Sequence, residues 1–292
     1  MLPELFLQYV TEREAIRMER IEFHKAHPNT LFVSKKFPFN ERPFCNNARI
    51  LDRWTQYSIR EAFVDGYDVN KRLMVILLTR LFMNLSIVRS VIEFIPDGTR
   101  HAVAAYKKAS LEGHRRRNAY LSGKVPMEEQ LEALLNLVMI GRVSRQESLE
   151  DLYELFVNTK GFGKFIAFQL AQDANYVLQH DHRSFVVLGP GAIRGLEKLR
   201  IPRKEWIDWV LRAPYELPQY TATGKIIHKD GLRVPITNKF DYTPADVQNM
   251  LCEFDKWTRL TNPGLGYDKK VNRYYTPSPF RMPEILIPAN LM

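Results

Sequence analysis

A chain of 292 residues with 45% apolar residues is long enough to bury a sizeable core and too apolar to be a disordered tail. Its 42 Lys and Arg against 33 Asp and Glu leave a formal charge of +9, which favours polyanionic partners without separating DNA from RNA or a membrane surface. Two cysteines, Cys45 and Cys252, exclude a disulfide framework and point to a reducing compartment.

In chain order, the first predicted element is a long surface helix over about 4–26, where Leu5, Val10, Ile16 and Phe23 recur among many charges. Those early charges argue against an export signal. His27-Pro28-Asn29 ends the helix, because proline restrains the residue before it and donates no helical hydrogen bond. A proline-containing loop leads to Phe44-Cys45-Asn46. A helix over about 47–62 is expected next, then a strongly apolar one over 69–94 near the centre of the core. The apolar stretch Leu73 to Leu78 within it is far too short to span a bilayer. Further helices are expected around 100–112, 127–140, 146–158, 164–179 and 203–212. The only convincing β signal lies at 219–238, where Asp230-Gly231 separates two short β-prone runs as a hairpin turn requires. A last helix over 243–262 opens with Thr243-Pro244-Ala245-Asp246, an N-cap, a first-turn proline and an acid that favours the helix dipole. After Asn262-Pro263-Gly264 the tail reads as irregular. No repeat and no long linker interrupts the chain, so the expectation is one mainly α domain over 1–292 with a small β-hairpin.

Chemistry centres on Gly161-Phe162-Gly163, which joins two helices within 146–179. Such a bend turns tightly and points N–H groups, with Lys164 beside them, at whatever lies before the second helix, where the dipole favours a phosphate. This is the outline of a helix-hairpin-helix; a glycine cap between packed helices fits the same residues. A second cluster, Gly189-Pro190-Gly191-Ala192-Ile193-Arg194-Gly195, lacks the Gly-Lys-Ser/Thr of a P-loop and reads as an anion-binding turn or an ordinary loop. Arg49, Asp52, Arg53 and Gln56 fall three or four apart and would share one helix face. Gln248, Cys252, Asp255 and Arg259 form a similar stripe on the last helix. The run His114-Arg115-Arg116-Arg117 would touch phosphate or simply be solvated. No His/Cys cluster has zinc spacing, and neither a nucleophile elbow nor a dinucleotide fingerprint is present, so neither a metal nor a cofactor is expected.

Taken in order, TEREAIR, FCNNARILDRWT, GFGKFIAFQLAQD, GPGAIRGL and DVQNMLCEFDKWTR resemble the bacteriophage alpha-glutamyl/putrescinyl thymine pyrophosphorylases, or amino acid:DNA transferases. A similar helical module is attached to 5-hydroxymethyluracil DNA kinases. The likeness runs from about Glu12 to Arg259. It implies a DNA-glycosylase-like helical fold and an enzyme that follows a 5-hydroxymethyluracil DNA kinase on double-stranded phage DNA. The enzyme would replace the phosphate or pyrophosphate of a 5-phosphomethyluracil with an amino acid or polyamine, protecting the genome from restriction. Its place would be the cytoplasm of the infected bacterial host.

The motif positions fall here on Asn46, Arg49, Asp52 and Arg53, on Gly161, Gly163 and Asp173, and on Gly189, Gly191, Arg194 and Gly195. A last group is Gln248, Asn249, Cys252, Glu253, Asp255 and Lys256. Ile193, and His182 to Ser184, depart from the expected pattern, which bears on the choice of amine. Arg49, Arg53 or Arg194 would hold the leaving group, and Asp52, Glu253 or Asp255 would take a proton from the amine. Cys252 or Cys45 would add to the ring, unless each is a buried structural cysteine. The competing readings are a base glycosylase, with Asp181 in the right region, and a non-catalytic DNA-binding partner of a kinase.

Overall fold

The computed structural model describes residues 2–27, 30, 32–112, 125–262, 264 and 284–292; the basic run 114–117 lies outside them. The protein is mainly helical with one small sheet. Helix α1 (Glu4–Ala26) ends where the His27 N–H donates to the Phe23 carbonyl.

The helix expected over 47–62 is instead a single 3₁₀ turn, Arg49–Leu51, followed by α2 (Arg53–Ala62). Asp52 between them has extended backbone (ψ 135), so Arg49, Asp52 and Arg53 do not share a helix face. The apolar segment expected over 69–94 also breaks. Helix α3 (Val69–Phe82), capped by Asp68, stops at Met83 in the left-handed region (φ 48), and Asn84 caps α4 (Leu85–Glu93).

Helices α5 (Thr99–Leu111), α6 (Met127–Met139), α7 (Leu149–Val157) and α8 (Lys164–Leu178) lie where periodicity puts them. The glycine cluster read as a turn or loop is itself a helix, α9 (Pro190–Lys198), with Gly189 as N-cap and Pro190 in the first turn. Helix α10 (Trp206–Arg212) follows. The hairpin is β1 (Tyr220–Ile227) and β2 (Arg233–Phe240), turning at Gly231 (φ 96). In α11 (Pro244–Thr261) Thr243 and Asp246 form a complete capping box. The tail read as irregular supplies β3 (Ile285–Pro288), and the strand order is β2-β1-β3.

The described residues group into two compact units, each assembled from three stretches of chain: 1–53, 186–224 and 236–285, and 54–185, 225–235 and 286–292. The chain passes from one to the other at the start of α2, within each of the three strands, and once in the loop between α8 and α9, at 185–186. In the first unit the core is aromatic. Phe6 packs edge-on to Trp209 and Phe254, and Tyr9 lies 5.9 Å from Trp257 and 6.1 Å from Phe254. Helix α9 meets α11 closely: a Cβ on Gly191 would stand 2.3 Å from Cys252 Sγ, and one on Gly195 2.5 Å from the Leu251 carbonyl oxygen.

The second unit is built around α3 and α8. Leu73, Ile76, Leu77 and Leu78 are fully buried, and so is most of α8. Arg80 holds the buried Asp173 with two N–H groups of its guanidinium, Nε donating to Oδ2 at 2.5 Å and Nη2 to Oδ1 at 3.1 Å. Asp173 thus sits in a fork-like ion pair whose hydrogen bonds offset its desolvation.

Candidate active site

In the first unit the polar side chains gather around the loop 43–46. Asn46 is its hub, and both ends of its side-chain amide are engaged. Its Oδ1 accepts from Arg13 Nη2 at 2.7 Å, and its Nδ2 donates to the Leu51 carbonyl at 2.7 Å. Its backbone N–H donates to Asp52 Oδ1 at 2.9 Å, and Asn249 donates to its carbonyl at 3.2 Å. One residue earlier, the Cys45 N–H donates to Glu253 Oε2 at 3.1 Å. Two carboxylates from distant parts of the chain therefore grip consecutive backbone amides. Lys256 bridges the same loop, donating to Glu253 and to the Pro43 carbonyl with its ammonium over the Phe44 ring.

Electrostatics single out Asp52. Burial pushes its carboxyl from 3.8 up to about 6, against the Asn46 N–H and the charges of Arg49 and Arg13. A carboxylate with that value is ionised at neutral pH and still basic enough to accept a proton. Arg49 is buried, and its N–H donates to Asp246 Oδ1 at 2.6 Å; burial raises the Asp246 carboxyl, opposed by the N–H groups of Thr243 and Arg49. Arg53 is exposed at the start of α2, and Gln248 is buried on α11.

A second cluster surrounds Asp255, which is fully buried on α11. Arg194 of α9 approaches it at 2.9 Å, Lys198 at 2.9 Å and Arg259 at 3.4 Å. One acid facing three cations has its charge fully engaged and leaves a surplus of positive charge there. Cys252 touches α9 at Gly191, and burial pushes its thiol up to about 11, so it carries its proton at neutral pH and is a poor nucleophile. Gly191 and Gly195 are occupied by the α9–α11 contact, a packing task, while Gly189 caps α9. Cys45 is exposed as a residue, yet desolvation raises its thiol as well, with the Glu253 and Asp52 charges adding to the rise.

A cavity of about 660 Å³ adjoins the Asn46 hub within this unit. Sequence reasoning missed its main residues: Arg13, Arg17 and Arg20 from α1, and Arg42. Arg13 and Arg17 are buried, and Arg17 is held by Glu14 and by the Thr221 carbonyl at 2.8 Å. The available signal was their spacing of four and three residues, which places all three on one face of α1, but a solvated stripe has the same spacing.

In the second unit, α7 and α8 flank the Gly161–Gly163 bend. Gly161 has φ +98 and its Cβ would meet Gln130 Cγ at 2.7 Å, so glycine is required there by conformation and by space. Gly163 caps α8 with open space around it, and Lys164 is exposed beside it. Asp181 is exposed and accepts from the Arg183 N–H at 2.9 Å, an Asx turn. No described helix is long and apolar enough to cross a membrane.

The family model described as 5-hmdU DNA kinase, helical domain, matches residues 2–266. No curated protein and no solved structure matches the chain.

Proposed function

Because the chain belongs to the family of the 5-hmdU DNA kinase helical domain, we propose that it takes part in modifying thymine in DNA as a transferase acting after such a kinase. The substrate is double-stranded phage DNA carrying 5-phosphomethyluracil, and the reaction replaces phosphate or pyrophosphate with an amino acid or polyamine. The host-cell cytoplasm is its place of action.

The observation that carries this reading is the Asn46 hub, where Asp52 and Glu253 accept from consecutive backbone amides beside Arg13, with burial raising the Asp52 carboxyl to about 6. On this proposal Asp52 takes a proton from the incoming ammonium, freeing the nitrogen lone pair. The nitrogen bonds to the exocyclic methylene carbon as the carbon–oxygen bond breaks, and phosphate leaves with that electron pair. The nitrogen then sheds its second proton to the phosphate. Arg49, Arg53 and Arg194 are the candidates to hold the leaving group, since charge-assisted contacts strengthen as negative charge builds on it. Asn46, Asn249, Gln248 and Lys256 shape the site around the loop. Glu253 is the alternative base. Asp255, held by three cations, positions Arg194 rather than accepting a proton. Gly163 and Lys164 offer N–H groups and charge to the DNA backbone at the start of α8.

The test is nucleoside mass spectrometry of phosphomethyluracil DNA after incubation with pooled amino acids and polyamines. An amine-substituted nucleoside is the expected product, whereas released free base would make the protein a glycosylase. A second reading rests on the family description itself, which names a kinase's helical domain: the chain would be a non-catalytic DNA-binding partner of a kinase. Binding to DNA with no turnover in the same assay selects it.

A further inference from the structure

The cavity beside α1 has an assortment of groups that the transfer chemistry leaves unused. Its volume of about 660 Å³ lies within the range of small-molecule sites, about 300–1,000 Å³. A single amino acid would leave most of that space empty. Part of its wall is apolar and aromatic: Ile16, Ile21, Phe32, Phe39, Phe44 and Leu51. The Phe39 and Phe44 rings lie 4.7 Å apart at 54°, a corner against which a planar ring can pack.

The rest is cationic. Arg13, Arg17, Arg20, Arg42 and Lys25 line the cavity; Glu22 and Glu284 are the acids among its lining residues, and Glu14 pairs with Arg17 from outside it. Glu22 is paired with Lys25 at 2.7 Å. His24 Nδ1 is buried in the cavity wall with no hydrogen-bond partner among the described residues. The buried Ser34 hydroxyl accepts from the Lys36 N–H and has a proton of its own to donate. An enclosure with guanidinium forks on one side and phenyl rings on the other fits a ligand with a dianionic head and a planar ring. It is hostile to a polyamine, whose charges repeat those of the walls.

We propose that this cavity is a nucleotide-binding site, with the phosphate on the arginines of α1 and Arg42 and the base against Phe39 and Phe44. The nucleotide has two sources that share a planar base beside anionic phosphate: a free nucleoside monophosphate, whose phosphate is the dianion, or a nucleotide swung out of a DNA strand, flanked by two singly charged phosphodiesters. The second source alone rests on the DNA-modification reading above.

The experiment uses the full chain and its Arg20→Ala and Arg42→Ala variants, with folding checked by thermal melting. Titration calorimetry with thymidine 5′-monophosphate tests the free source; thymidine, which lacks the phosphate, and putrescine are the comparison ligands. A duplex carrying 2-aminopurine opposite a mismatch tests the strand-held source through the fluorescence rise when the base unstacks. We expect thymidine monophosphate to bind, and each arginine variant to weaken it by about 10–100-fold, the effect of losing one hydrogen bond to a charged group. Thymidine should lose a similar factor, and putrescine should not bind. If only the aminopurine signal appears, and Arg20→Ala or Arg42→Ala removes it while duplex binding persists, the site takes strand-held nucleotides alone. Absence of both signals in the wild-type chain overturns the proposal, as does either signal unchanged in both folded variants. Nucleotide binding with no amine transfer would keep the site and remove the transferase reading.

Discussion

Replacing Asp52 by Asn separates stability from catalysis at a single carboxyl. In the unfolded chain this group titrates near its ordinary value of 3.8; in the fold burial raises it to about 6. Below pH 4 both states hold the proton and the carboxyl exacts no penalty. Between pH 4 and 6 the unfolded chain ionises first, so the fold is progressively disfavoured, and above pH 7 the full penalty applies. That rise corresponds to about 3 kcal/mol at most, and solvent reaching the partly exposed side chain trims it to about 1–3 kcal/mol. The amide in Asp52→Asn keeps an oxygen for the Asn46 N–H and has no proton to lose. Urea unfolding at pH 4, 6 and 8 should show no stabilisation at pH 4, a growing one at pH 6 and a plateau of about 1–3 kcal/mol at pH 8. Amine transfer by the same variant should fall by about 10²–10⁴-fold, the usual worth of a general base. A variant less stable than wild type at pH 8, or a gain independent of pH, would refute the electrostatic reasoning; normal turnover would move the base to Glu253.

Gly195→Ala should destabilise by about 1–3 kcal/mol, because its methyl meets the Leu251 carbonyl oxygen; a solvated helical position would instead gain about 1 kcal/mol, so the sign in urea unfolding decides. Gly163→Leu, at a cap with open space and ordinary φ, should change stability by less than about 1 kcal/mol yet weaken DNA binding in a mobility shift; Gly161→Leu should lose fold and binding together and so tests nothing about DNA. Arg80→Ala removes the bidentate partner of the buried Asp173 and should cost about 3–5 kcal/mol in chemical unfolding. Duplex affinity should fall about 10³-fold or more between 50 and 200 mM salt if six or more phosphates are neutralised; a flat response in fluorescence anisotropy would remove nucleic acid from the account.

Local rules read correctly wherever the chain's own neighbours decide the outcome. Helices α5 to α8, the Asp230-Gly231 hairpin and the Thr243/Asp246 capping box depend on periodicity, turn conformation and hydrogen bonds within a few residues. The four-residue β3 was invisible because so short an apolar run has no period of its own; it becomes a strand only by pairing with β1. The same limit governs the site. Spacing put Arg49, Asp52 and Arg53 on one helix face, and the extended backbone at Asp52 separated them. Gly191 and Gly195 read as an anion turn, although their lack of side chains serves the close approach of α11. Asn46, Asp52, Glu253 and Lys256 were legible as motif positions of the family resemblance, but nothing local says that two carboxylates as far apart in the chain as Asp52 and Glu253 grip adjacent amides. Composition determined a basic protein without a disulfide framework, and periodicity a mostly helical one. Which arginines of α1 turn inward, and which carboxyl is pushed toward neutrality, depends on desolvation and on charges brought close by packing, and these are quantities only the tertiary structure sets.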